Sequence, residues 1–234
     1  AAELLGRGHE ARVFEPAVVF ERHVNWNAGT PSAQSGRSAV TAFHRADPTI
    51  VCRPPDRKTM QLDEALDGAD VVIVHEWNPH ALVTEIGRHH ARGGRYVLLF
   101  HDTHHRSVTE PAEMARYDLH HYDGVLAFGE AIRQRYLALG WARQAWTWHE
   151  AADTRTFWPR ETGPETADLV WIGNWGEGER ARDLRAYLIE PARDLGLRTT
   201  VYGAGYAGAA TMELEAARIR YAGWLPNAGA PQVY

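Results

Sequence analysis

The chain has 234 residues, 44% hydrophobic and 24% charged, a composition that suits a soluble globular protein of one large domain or two small ones. Its formal charge of −5 and pI near 6.2 exclude a basic field that would draw nucleic acid or an anionic lipid surface. No apolar run approaches the ~18–20 residues of a membrane span, no signal peptide opens the chain, and the single cysteine, Cys52, fits a reducing cytoplasm.

Taken in order, Ala1–Glu10 reads as the last turns of an amphipathic helix ending at a glycine, followed by a strand at Ala11–Phe14. A helix that feeds a strand normally follows an earlier strand, so the opening predicts a piece of a longer protein, lacking the first strand of its first domain. Pro16 to Pro48 shows no sustained period and reads as a long loop; Thr49–Cys52 is a short candidate strand. A helical turn is expected at Leu62–Leu66. Asp70–His75, with four consecutive β-branched residues, is the clearest strand. Helix Pro79–Arg92 follows, with Leu82, Val83 and Ile86 on one face.

Tyr96–Phe100 reads as a strand buried on both faces, ending in the loop His101-Asp102-Thr103-His104-His105-Arg106. Loops after the carboxyl ends of parallel strands are where such folds bind ligands, so this ionisable cluster is the first candidate site. The plainer reading is a set of solvated residues that cap the next helix. Beyond it are expected helix Pro111–Tyr117, strand Gly124–Phe128, helix Glu130–Leu139 closed by Gly140, and strand Ala145–His149. Thr162-Gly163-Pro164 makes a linker over 161–168. The pattern then restarts with strand Leu169–Ile172, a Gly-rich turn, helix Glu179–Leu195, strand Arg198–Tyr202, helix Ala209–Ala217 and strand Ile219–Tyr221, and the chain stops as a new helix begins. The alternation argues for an α/β fold of two doubly wound parallel-sheet domains, 1–160 and 169–234, both incomplete at the chain ends.

Several stretches resemble a known family. Leu5–Phe14 resembles the first helix-to-strand turn of GT-B glycosyltransferases. Asp123-Gly124-Val125-Leu126-Ala127-Phe128-Gly129-Glu130 is similar to their D-x-V-x-A-x-S-E junction, and Asp153-Thr154-Arg155-Thr156-Phe157-Trp158-Pro159 to D-T-x-x-F-x-P. Gly223-Trp224-Leu225-Pro226 with Pro231 and Tyr234 resembles G-W-L-P-x-x-x-x-P-x-x-Y. The stretches Trp148–Asp153 and Trp171–Gly176 look like the spore-maturation CgeB-type branch.

The resemblance implies two Rossmann-like domains, a nucleoside diphosphate sugar as donor, and a sugar, lipid or other small acceptor in an interdomain cleft, with no resident metal or cofactor. Transfer leaves a charged diphosphate, and a helix N-terminus with free amides plus a cation would stabilise it. Gly173, Asn174 and Gly176 before the helix at Glu179, with Arg180 and Arg182, would form that donor site. The family's lysine in this loop is missing, and the acidic residue that grips the donor ribose would lie beyond Tyr234, so this length of chain is expected to transfer little sugar by itself. His101 falls where these enzymes place a histidine beside the transferred sugar, with Asp102 to orient it or to meet the acceptor. Arg106, His149 and Glu150 are further candidates for the cleft. Asp153 reads as a hinge contact or an N-cap.

Three other readings stay open. His101, Asp102, His104 and His105 are all metal-ligand types, as a metallohydrolase would need, although neighbours on a loop seldom point at one ion. A nucleotide-sugar epimerase would use the same scaffold. The missing lysine also fits a non-catalytic sugar-binding protein.

Overall fold

The computed structural model describes residues 2–14, 52–53, 61–159, 165–176 and 178–234. It is an α/β protein with parallel sheets. By Cα proximity the chain groups into Pro55–Ala152 and, separately, Ala1–Pro54 with Asp153–Tyr234. That division falls at Ala152 and Asp153, upstream of 161–168. The long loop expected over Pro16–Pro48 lies outside the described residues, as does the Thr162-Gly163-Pro164 stretch.

In Pro55–Ala152 we number the elements α2 (Leu62–Ala65), β3 (Val71–His75), α3 (His80–Ala91), β4 (Val97–Asp102), α4 (Arg106–Thr109), α5 (Pro111–Met114), β5 (Gly124–Ala127), α6 (Glu130–Ala138) and β6 (Ala145–Thr147). All four strands are parallel, in the order β3-β4-β5-β6. Val83 and Ile86 from α3, Met114 from α5, and Ile132 and Tyr136 from α6 join Val74, Leu98, Phe100, Val125, Ala127 and Ala145 in one core. Each large apolar side chain so buried contributes about 1.5–3 kcal/mol.

Because this strand order follows the chain, right-handed crossovers carry every helix to the same face. The reversal of order that winds helices onto both faces is not found among the described strands. This corrects the expectation that β4 is buried on both faces. Leu98, Phe100 and Asp102 are fully buried, whereas Val97 on the other face is 47% exposed, beside Val71 at 54%, with Ile73 at 44%.

The second unit holds α1 (Ala2–Gly6), the parallel pair β1 (Val13–Phe14) and β2 (Cys52–Arg53), and a parallel sheet in the order β7 (Leu169–Ile172), β8 (Thr199–Tyr202), β9 (Arg220–Tyr221). Between β7 and β8 runs one helical segment: α7 (Glu179–Leu184), a π-helical turn over Arg185–Ile189, and α8 (Glu190–Asp194). Pro191 has no N–H to donate and its ring crowds the carbonyl four residues back, a conflict that the wider turn absorbs. Leu188 and Ile189 in this turn still reach the core with Val201, α9 (Ala209–Ala216) residue Leu214, and Ile219.

Candidate active site

One group of ionisable residues of Pro55–Ala152 gathers at the carboxyl ends of β3 and β4. His101 and Asp102 were expected in a loop, but they are the last two residues of β4, because β5 extends the pairing to His101↔Leu126 and Asp102↔Ala127. Successive strand residues face opposite ways, so the two side chains part. Asp102 points into the core, fully buried, where its Oδ2 accepts the Tyr136 hydroxyl at 2.8 Å and its Oδ1 accepts the His104 backbone N–H at 3.0 Å. Burial raises its carboxyl above the ordinary aspartate value, and these two donors do not cancel the effect. Asp102 therefore does not orient His101.

His101 faces the other side, half-buried, and register places it beside His75. The two rings meet edge-on with centroids 5.2 Å apart, and the Trp148 ring lies 5.1 Å from His101 on its other side. Burial first, and then the positive charge of a protonated His75, push His101 below its ordinary value of 6.5; Glu76 and Glu150 pull the other way.

The residue that ties this cluster together is Glu76, which sequence reasoning passed over. It follows β3 directly and is fully buried. Its backbone N–H donates to the His101 carbonyl at 3.0 Å, and its own carbonyl accepts Arg106 Nη2 at 3.0 Å and the Tyr117 hydroxyl. In the side chain, Oε1 accepts the Thr103 hydroxyl at 2.8 Å. Oε2 lies 2.6 Å from His75 Nδ1, a contact that the ring N–H does not meet head-on. Burial pushes this carboxyl up, but His75 and Thr103 together pull harder and hold it below the ordinary glutamate value. The one sequence signal was a glutamate directly behind the most apolar strand, at a strand end.

Arg106 braces this turn and lies 4.4 Å over the Trp77 ring, so its place is structural support beside the cluster. His104 stacks on the exposed His105 at 4.1 Å. His149 is exposed and its Nδ1 faces the Phe128 carbonyl at 2.9 Å; Glu150 is exposed and reaches His101 only through its charge. His101, Asp102, His104 and His105 do not converge, and among the described residues no group of three or more histidine, cysteine or acidic side chains is placed to hold a metal ion.

The carboxyl ends of β7 and β8 are built differently. A Cβ on Gly203, whose φ is +146°, would stand 2.0 Å from the Gly173 carbonyl oxygen, so the two backbones touch as only glycine permits. Asn174 Oδ1 accepts the Ala204 N–H at 2.8 Å, Trp175 N–H donates to the Ala204 carbonyl at 2.9 Å, and the Tyr206 and Tyr221 hydroxyls donate to the carbonyls of Gly173 and Gly203. Gly176 lies against the Arg180 side chain; Arg180 and Arg182 are both exposed. Asp153 pairs with Arg155 at 2.9 Å and accepts its backbone N–H, closing a local turn.

Among the described residues no helix is long and apolar enough to cross a membrane. Compared with protein-family models, curated proteins and solved structures, the chain matches none of them.

Proposed function

We propose that the chain is part of a GT-B glycosyltransferase, of the family-4-like or CgeB-like kind, that moves a sugar from a nucleoside diphosphate sugar to an acceptor hydroxyl without a metal. The observation that carries this reading is the strand-end pair of His75 and His101, in which His101 is the imidazole kept neutral near physiological pH. In this reading His101 hydrogen-bonds a hydroxyl of the transferred sugar or takes the acceptor proton as the acceptor oxygen bonds to the anomeric carbon. The bond from that carbon to the diphosphate breaks, and the diphosphate leaves with the electron pair. The close-packed turn at Gly173, Asn174 and Gly176, with Arg180 and Arg182 near the start of α7, supports a donor-diphosphate role for the second unit. Two Rossmann-like domains, a cytoplasmic setting and a sugar, lipid or other small acceptor belong to the same proposal.

Incubating the protein with a panel of sugar-labelled nucleoside diphosphate sugars tests it. Transfer of label with stoichiometric release of nucleoside diphosphate is the expected result. Conversion of the donor to its epimer with the diphosphate bond intact would sink the transferase reading.

A further inference from the structure

Two carboxylates stand at the ends of β3 and β4, and only one of them meets a histidine ring. Asp102 is turned into the core and spent on Tyr136 and the His104 N–H. Glu76 turns its polar groups to the cluster: its N–H bonds His101, its carbonyl Arg106 and Tyr117, and Oε1 Thr103, while Oε2 lies 2.6 Å from His75 Nδ1, off the axis of a ring N–H. A carboxylate only accepts, so the ring nitrogen that faces it at 2.6 Å is the one that carries a proton. The competing tautomer would set a bare Nδ1 lone pair against a carboxylate oxygen. In exchange it would gain only a contact from Nε2 to the Thr103 hydroxyl oxygen at 3.4 Å. At 2.6 Å a bare ring nitrogen and a carboxylate oxygen would be two acceptors in close repulsion, which one long contact at 3.4 Å does not offset, so the carboxylate decides.

We infer that Glu76 is a positioning residue: it fixes the proton of His75 on Nδ1, and so makes His75, rather than Asp102, the side chain paired with His101 whose charge acts on it. When His75 is neutral, its bare Nε2 stands at the edge of the pair. When it takes a second proton, the resulting cation beside Glu76 disfavours a charge on His101, whose other charged neighbours are Glu76 and Glu150. The inference uses the proposed role of His101 for its purpose, but not for its test.

Long-range proton–nitrogen NMR spectra of the histidine rings in nitrogen-15-labelled protein read the tautomer without donor or acceptor, with His75 assigned by its loss in His75→Gln. In the wild type the neutral ring is expected to show a protonated Nδ1 and a bare Nε2. In Glu76→Gln the Thr103 hydroxyl still donates to the amide oxygen, which turns the amide NH2 toward Nδ1 and moves the ring proton to Nε2. An Nε2-protonated ring in the wild type overturns the inference, and so does an Nδ1 proton that survives in Glu76→Gln. Should Glu76→Gln fail to fold, the His101 midpoint in His75→Gln decides: it rises if the charge of His75 acts on it, and an unchanged midpoint refutes the claim. Failure here leaves sugar transfer standing, and absence of sugar transfer leaves the tautomer unaffected.

Discussion

The two units end their parallel strands in opposite ways. At the ends of β3 and β4, buried and half-buried ionisable side chains do the contacting: Glu76, His75, His101, Thr103 and Asp102. At the ends of β7 and β8, backbone and amide groups do it: Gly173 against Gly203, and Asn174 against Ala204. The same topological position is thus built from two kinds of group. Ionisable groups with unequal surroundings suit proton transfer, because neighbours that push titrations apart define which group is acid and which is base. At β7 and β8 the Ala204 and Trp175 N–H groups are engaged within the turn, so an anion there would rely on the helix start that follows and on the nearby arginines.

The widest separation between the two regions is expected in turnover. His101→Ala should lower it by about 10²–10⁴-fold, the loss typical of an acid–base group, with folding stability changed by about 1 kcal/mol or less. His105→Ala, at an exposed position, should leave turnover and melting temperature near the wild type. Steady-state kinetics with melting curves check both, and equal losses in the two variants would break the contrast between a working side chain and its solvated neighbour.

Next comes the backbone turn. Gly203→Ala adds a carbon where the Gly173 carbonyl already stands, at a φ that other residues avoid. It should destabilise the unit of β7 to β9 by about 3 kcal/mol, and chemical denaturation followed by the tryptophans measures this. A wild-type midpoint would show that the turn yields easily and is not held rigid by the contact of the two glycines.

The smallest effect is the pH dependence set by Asp102. Its carboxyl is raised by burial, so the unfolded chain gives up this proton first as pH climbs past about 3.8. The folded state then holds more protons than the unfolded one, and stability falls with rising pH through that window. Asp102→Asn should remove this fall, at a constant cost of about 1 kcal/mol for one lost acceptor, since a single amide oxygen cannot take both Tyr136 and the His104 N–H. Denaturation curves from pH 3 to 8 for both proteins test the sign. A variant whose stability still falls in step with the wild type would assign the dependence elsewhere.

By itself the sequence determined where the elements lie. The β-branched run Val71–Val74, the helix around Val83 and Ile86, the helix Glu130–Ala138 closed by Gly140 at a φ of +66°, and the strand at Leu169–Ile172 all match their expected places within a few residues. These are local matters of side-chain branching, apolar spacing and glycine stops, which a short window of chain contains.

What the chain could not show alone is which side chains meet. Side-chain direction in a strand alternates with every residue, so two extra paired residues at the end of β4 decide that His101 and Asp102 part company. That pairing comes from β5, more than twenty residues away in sequence. His75 meets His101 only through the register of β3 on β4, and Glu76, a lone acidic residue with no motif around it, gains its place from Thr103, Arg106 and Tyr117 arriving from other elements. Even the one-sided burial of the sheet follows from strand order, which no local pattern encodes.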